Sequence, residues 1–166
     1  MKRVAMLVFV LFLLASPLSA AAPLYTQPIK RLTADEIFGT LMHAPFNRDI
    51  REWVKNEYTP PTRKDVDNWV WEHKENGTLL RMYFNPSNII YCSAIQEIAY
   101  SIDDATARTE ILAGQYERRF GPPAEDTHLE NNLHVRRWNI NNVLIFTMLT
   151  KLDETNIMYL IEPVKK

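Results

Sequence analysis

Apolar residues recur at helical spacing in two short stretches of the first half of the chain. Thr33 and Glu36 have the spacing of a capping box, in which each side chain bonds to the backbone amide of the other residue, so we predict that a helix begins there. A second helix, capped by Asn47 or Asp49, must end before Pro60-Pro61 because proline cannot continue a helix. Its predicted apolar face consists of Ile50, Trp53 and Val54.

A longer helical pattern lies in the second half of the chain. Asp103 or Asp104 is placed to cap its first turn, and Gly121-Pro122-Pro123 ends it, since glycine terminates helices and proline cannot extend them. The predicted apolar stripe of this helix consists of Ala107, Ile111, Leu112 and Tyr116. The pattern therefore predicts a third helix between two regions of strand character.

Alternation with a period of two residues predicts a β-hairpin between Asn68 and Asn85. Asn76-Gly77 is the dipeptide best suited to a two-residue type I′ turn, because both of its positions require positive φ angles. A turn at that site sets Glu72 opposite Arg81, an opposite-charge pair across the strands. The other face of the predicted hairpin consists of Trp69, Trp71, Met82 and Phe84.

Four further segments are typical of β-strands, and they complete the predicted fold. They are Ile89 to Ile102, Leu133 to Ile140, Val143 to Lys151 and Asn156 to Ile161, with a polar loop from Ala124 to Asn132 before the second of them. We therefore expect an α+β fold of two tandem units, each a helix packed with a three-stranded antiparallel meander, with the helices on one face of the sheet. The units would be residues 22–102 and 103–166, as two domains or as one.

A short internal match supports the tandem arrangement. Tyr58-Thr59-Pro60-Pro61 aligns with Phe120-Gly121-Pro122-Pro123 at a shift of 62 residues, and a tryptophan-bearing strand follows each segment. Self-similarity at one fixed shift is typical of repeated structural units. The repeat predicts that each half consists of a helix, an aromatic-x-Pro-Pro stop, a polar loop, a tryptophan-bearing strand and two further strands.

A helix that ends in Phe120-Gly121-Pro122-Pro123, followed by a loop, a strand with Trp138 and a hairpin, resembles the outer-membrane assembly lipoproteins of the small-protein-A type. The tandem form, with Pro60-Pro61, Trp69 and Trp71 in the first half, resembles the architecture of the beta-lactamase inhibitor protein. The resemblance implies an exported domain that binds protein partners and performs no chemistry. The lipid-bearing cysteine of the first family has no counterpart near the expected cleavage site.

The first residues have the three-part pattern of a secretory signal. Lys2 and Arg3 are basic, residues 4–14 are uniformly apolar, and residues 15–21 are mostly small. The apolar run is shorter than the roughly 20 residues that span a bilayer, so we expect cleavage after Ala20 or Ala21 and no stable membrane anchor. Residues 1–21 are thus interpreted as a signal peptide, and the mature protein is expected to be soluble in the periplasm or secreted.

The charge of the chain argues against one class of partner. The chain has a formal net charge of −1, so it has no excess of basic residues to form the surface that nucleic-acid binding requires. Cys92 is the only cysteine, so no internal disulfide supports the fold and an apolar core must do so. We expect a protein partner from the envelope or the medium, and the oligomeric state is left open.

No motif for catalysis, a metal or a cofactor emerges. The four histidines, His43, His73, His128 and His134, are scattered, and the nearest approach to a ligand cluster is Asp126, His128 and Glu130 in one polar loop. The chain has no Gly-x-Ser-x-Gly elbow, and its four glycines form no phosphate-binding loop. We therefore predict a non-enzymatic protein without a cofactor. The alternative is a hydrolase or a small-ligand-binding protein whose site is assembled from residues distant in sequence.

The partner-binding candidates are Trp138, Arg136 and His134, which alternate on one predicted strand and so share one face. Tryptophan and arginine are the residues that most often anchor protein interfaces. We expect exchange of Trp138 or Arg136 to weaken partner binding while the melting temperature stays nearly unchanged.

Overall fold

The computed structural model describes residues 30–153 and 155–164, in which three α-helices accompany one β-sheet. The helices are α1 (Ala34–Met42), α2 (Ile50–Glu57) and α3 (Ile102–Phe120). The strands are β1 (Arg63–Lys64), β2 (Asn68–His73), β3 (Thr78–Phe84), β4 (Ile90–Ile98), β5 (Glu125–His128), β6 (Leu133–Ile140), β7 (Leu144–Lys151) and β8 (Asn156–Pro163). The expected signal peptide, residues 1–21, lies outside the described residues.

All eight strands form one antiparallel sheet in the order β1-β2-β3-β4-β8-β7-β6-β5. The predicted fold class, two tandem units of a helix and a three-stranded meander, is therefore wrong. In the chain, α3 follows β4 and precedes β5, but it does not divide the sheet into two. β4 pairs directly with β8, from Ser93 opposite Ile161 to Ile98 opposite Asn156. The prediction missed β1 and β5 because both are short, polar edge strands, and such strands lack the apolar alternation that marks a strand in a sequence.

The helix starts show which capping predictions were correct. The capping box of α1 is confirmed: the Thr33 backbone amide donates to the Glu36 carboxylate at 2.7 Å, and the Glu36 amide donates to the Thr33 hydroxyl at 3.2 Å. Asp49 caps α2, as one of the two predicted alternatives. α3 begins earlier than predicted, because the Ser101 hydroxyl accepts from the Asp104 amide at 3.1 Å and so provides the cap.

The buried stripe of α3 agrees with the prediction at Leu112 and Tyr116 but not at the other two predicted positions. Ile111, which was predicted to be buried, is 59% exposed, and Ala107 is also exposed. The residues that α3 buries are Ala105, Thr109, Leu112, Ala113 and Tyr116. Gly121 ends the helix with a φ of 81°, a conformation that residues with a side chain adopt at a cost.

The β2–β3 hairpin has the predicted faces but a different register. Its turn spans four residues, Lys74 to Gly77, instead of two, and this moves the pairing by two positions, so that Glu72 faces Leu79 and Arg81 faces Val70. A shift of two leaves every side chain on its predicted face. The predicted apolar face is confirmed, because the side chains packed in or against the core are Trp69, Trp71, Met82 and Phe84. The predicted ion pair between Glu72 and Arg81 is wrong.

Buried tryptophans connect two strands to the proline segments. The Trp71 indole N–H donates to the carbonyl of Thr59 at 2.9 Å, and the Trp138 indole N–H donates to the carbonyl of Gly121 at 3.0 Å. Each carbonyl belongs to the residue directly before a Pro-Pro pair. The indoles satisfy backbone acceptors where α2 and α3 have ended, and a buried acceptor without a partner would cost free energy.

The two faces of the sheet are packed differently. The three helices contribute their buried apolar residues to one large cluster on one face. Among the described residues, the second cluster consists of the strand residues Tyr83, Cys92, Ala94, Leu133, Val135, Leu149, Met158 and Leu160, with Tyr91 and Leu129 packed against it. We call the face that carries these residues the helix-free face, since no described helix contributes to it. No helix in the described ranges is long and apolar enough to cross a membrane.

Glu97 of β4 is a buried charge on the helix-covered face, near the end of its strand. Its side chain is 1% exposed, and Arg108 of α3 binds it through Nε at 2.9 Å and Nη2 at 3.1 Å. Arg31 also pairs with Glu97 through Nη1, and the Nη2 of Arg31 lies 2.5 Å from a carboxylate oxygen of Asp104. The Tyr159 hydroxyl donates to Glu97 at 3.4 Å. Burial raises the pKa of the Tyr159 hydroxyl well above its ordinary value, so this hydroxyl keeps its proton. One carboxylate therefore connects the segment before α1 with α3, β4 and β8.

We predict that Glu97→Gln lowers the free energy of unfolding by about 3 kcal/mol, because it leaves two guanidinium groups partly buried without their counter-charge. Urea unfolding measures the change. The matched control is Glu57→Gln, which removes an exposed ion pair with Arg48 and should change stability little. Equal effects of the two substitutions would contradict a central role for Glu97.

Candidate functional site

The three predicted partner-binding residues lie on β6 and share one face, as their spacing implied. That face is the one that carries the helices. Trp138 is 1% exposed, and its ring centroid lies 5.7 Å from that of Tyr116 on α3 and 5.8 Å from that of Phe146 on β7. A partner cannot reach the Trp138 side chain in this conformation. The partner-binding role of Trp138, Arg136 and His134 stays a prediction.

Arg136 and His134 belong to a group of charged and imidazole side chains near the β5 edge of the sheet, which we call the edge cluster. It consists of Glu110, Asp126, His128, His134 and Arg136. The His134 Nε2 lies 2.5 Å from an Asp126 oxygen. The His128 and His134 rings stack with their centroids 3.9 Å apart. Arg136 donates to Glu110 at 2.6 Å, and its Nε lies 3.6 Å from Asp126. Most of the charge on these groups is thus compensated within the cluster.

The pairing of β5 with β6 builds this cluster. Asp126 lies opposite Arg136 and His128 opposite His134, so alternation on two neighbouring strands brings four side chains together. The sequence showed Asp126 and His128 in a polar segment but not that this segment pairs with β6. The hydrogen bond with His134 is the main cause that lowers the pKa of the Asp126 carboxyl, and the charges of His134, Arg136 and His128 lower it further.

The hydrogen bond of the His134 ring goes to Asp126 and not to a serine, threonine or cysteine that could act as a nucleophile. Within the described ranges, no three side chains of the His, Cys, Asp or Glu type converge to hold a metal ion. The edge cluster is a polar network at a sheet edge.

A groove of about 410 Å³ lies between the start of α1 and the end of α3. Its lining residues are Thr33, Ala34, Asp35, Gln115, Tyr116, Arg118 and Arg119. It holds one carboxylate and no histidine, so this groove does not contain the histidine and carboxylate pair that the hydrolase alternative requires.

Arg81 of β3 has an unusual environment on the helix-free face. The residue is 6% exposed, and among the described residues its guanidinium donates to the neutral amide oxygens of Asn68 at 3.4 Å and Gln96 at 3.1 Å. The Arg81 Nε is buried and has no hydrogen-bond partner. Gln96 in turn donates to Asn156 at 3.2 Å, so the polar side chains form a row across β2, β3, β4 and β8. We call these four residues the amide row.

A second arginine on the same face shows the more usual arrangement. Arg137 of β6 pairs with Glu125 at 2.5 Å and donates to the Thr147 hydroxyl at 3.4 Å. Arg81 therefore differs from Arg137 in lacking a carboxylate, although it is more deeply buried. The sequence did not reveal this difference, because the expected pairing of Arg81 with Glu72 depended on the length of a turn.

We predict that Trp138→Ala lowers the free energy of unfolding by about 3 to 5 kcal/mol, because it removes a fully buried ring and its hydrogen bond to Gly121. Thermal and urea unfolding measure the loss. The matched control is Asn139→Ala, the next and exposed position on β6, which should change stability little. An unchanged melting temperature for Trp138→Ala would contradict this prediction and would support the partner-binding role of Trp138 expected from the sequence.

We also predict a pH-dependent effect of Asp126→Asn. The lowered pKa of this carboxyl in the folded state means that its stabilising contribution is present above the unfolded value of about 3.9 and is lost as the pH falls through the folded value. The variant should therefore be less stable than the parent near neutral pH, and the difference should shrink in acid. Urea unfolding over a pH series tests this, with Glu130→Gln in the neighbouring turn as the control. A difference that does not change with pH would contradict the prediction.

Comparison with known proteins gives limited similarity. No protein-family model matches the chain, and no solved structure matches it. The chain is similar to two curated proteins, the probable mitochondrial leucine–tRNA ligases of Mus musculus and Pongo abelii, with 31% identity over 113 residues in each. The match covers 55% of this chain and 12% of each ligase. The chain thus spans only a small part of the length of the curated relatives that it matches.

Proposed function

We propose that the mature protein is an exported, soluble, non-enzymatic module of the bacterial envelope or medium, and that it binds a protein partner through the helix-free face. The observation that supports this most is the second apolar cluster, which strands form without a contribution from any described helix. A sheet normally buries each apolar face against another layer of structure. The eight buried residues of this cluster are 0 to 6% exposed, so a partner would contact the partly buried positions beside them, such as Leu79.

Other features favour binding over chemistry. The edge cluster lacks a nucleophile in its recorded contacts, and the net charge of −1 does not favour nucleic acid. We do not extend the activity of the two leucine–tRNA ligases to this chain, because it covers 12% of each of them. Protein recognition on a sheet face requires only shape, apolar area and a few polar anchors.

We predict that a photo-crosslinking amino acid at Leu79, a half-buried position on the helix-free face, captures a specific partner from the envelope fraction or the medium of the source organism. The matched control carries the same group at Ile111, which is 59% exposed on α3. A discrete adduct at Leu79 and none at Ile111 would support the proposal. No adduct at Leu79, or the same adducts at both positions, would overturn it.

A further inference from the structure

We propose that two copies of this chain associate edge to edge through β5, so that one antiparallel sheet runs through a symmetric dimer. β5 is the last strand on its side of the described sheet, and its residues Asp126 and His128 are exposed. The edge of a sheet offers backbone donors and acceptors that can pair with a strand of another chain. This inference concerns a different surface from the proposed function and does not depend on it.

The pairing of β5 with β6 decides which backbone groups of β5 point outward. In an antiparallel pair, residues that exchange hydrogen bonds with the neighbouring strand alternate with residues that do not. The Leu129 amide donates to the Leu133 carbonyl at 2.7 Å, so Thr127, two positions earlier, also bonds to β6. Asp126 and His128 therefore direct their backbone N–H and C=O groups away from β6, toward the edge of the sheet.

Side-chain charge selects the register of the dimer. A two-fold axis at Thr127 sets Asp126 of one copy opposite His128 of the other, twice by symmetry, and these two pairs exchange four backbone hydrogen bonds. An axis at Asp126 would set two carboxylates against each other, and an axis at His128 would set Asp126 opposite Glu130 of the second copy. Like charges directly opposite are destabilising, so the axis at Thr127 is favoured.

The side chains at this edge have bonding capacity left for a second copy. One Asp126 oxygen lies 2.5 Å from the His134 Nε2, but the other lies 3.6 Å from the Arg136 Nε, which is too far for a hydrogen bond. The His128 ring stacks on that of His134, and its nitrogens form no hydrogen bond with the described residues. The Asp126 side chain is 48% exposed. The second copy would thus add an imidazole and a carboxylate to each edge cluster.

The opposite edge of the sheet does not have these properties. β1 is two residues long, and both of its residues, Arg63 and Lys64, are basic. Pairing of β1 with its own copy would bring like charges together, and a short, basic edge is a common protection against such pairing. We therefore expect self-association at β5, where a two-fold axis closes the assembly as a dimer.

Disulfide trapping tests the two-fold axis in the expected mature protein, residues 22–166. Thr127→Cys places two thiols opposite each other in a pair whose Cα atoms are about 4.5 Å apart, within the range of a disulfide. We expect mild oxidation to give a covalent dimer. The controls are the unsubstituted protein, whose Cys92 is buried, and Lys64→Cys on the opposite edge, and both should stay monomeric. No covalent dimer of Thr127→Cys, or an equal yield in either control, would overturn the inference.

Sedimentation velocity covers the case in which Thr127→Cys does not fold. Two short strands bury less than the roughly 1,200 Å² of a stable interface, so we expect a weak dimer of the unsubstituted protein, with a Kd of about 100 μM. His128→Glu sets a carboxylate opposite Asp126 of the second copy and should weaken this dimer about 10-fold or more. Glu130→Gln, in the turn after β5, should change the Kd less than about 2-fold. A monomer at every concentration up to about 1 mM, or equal Kd values for His128→Glu and the unsubstituted protein, would contradict the inference.

Discussion

The carboxylate of Glu97 holds together parts of the chain that are far apart in sequence. It accepts from Arg31 ahead of α1, from Arg108 on α3 and from Tyr159 on β8, while its own strand β4 forms the central pair of the sheet with β8. A carboxylate that is 1% exposed is tolerated only because these donors compensate its charge. α3 lies over β7 and β8, and its Arg108 reaches Glu97 from there, so both ion pairing and apolar packing fix its position.

The helices determine which side of the sheet is occupied. Ile37, Leu112 and Tyr116 pack with Trp138 and Phe146 in the larger cluster, so the tryptophan-bearing strands serve the core on that side. This packing explains why residue types that are common in interfaces are not accessible on β6. The opposite side has an apolar cluster to which no described helix contributes, and we propose partner binding at the partly buried positions beside it.

The two faces also differ in how they compensate charge. On the helix-covered face, Arg108 and Arg136 both have carboxylate partners, as does His134 in the edge cluster. On the helix-free face, Arg137 has Glu125, whereas the hydrogen-bond acceptors of Arg81 among the described residues are the amides of Asn68 and Gln96.

The sequence by itself determined features that depend on neighbouring residues. The capping box of Thr33 and Glu36, the end of α3 at Gly121 and the division of the β2 and β3 side chains between two faces follow from local geometry and from periods of 3.6 and 2 residues. Only the tertiary structure decided the β2–β3 register, the pairing of β5 with β6 and the junction of β4 with β8. These features depend on turn length and on contacts between residues far apart in the chain, which no local pattern encodes. The isolation of Arg81 from Glu72 is a direct consequence, because a two-residue change of register removed the expected partner and left the charge on the helix-free face.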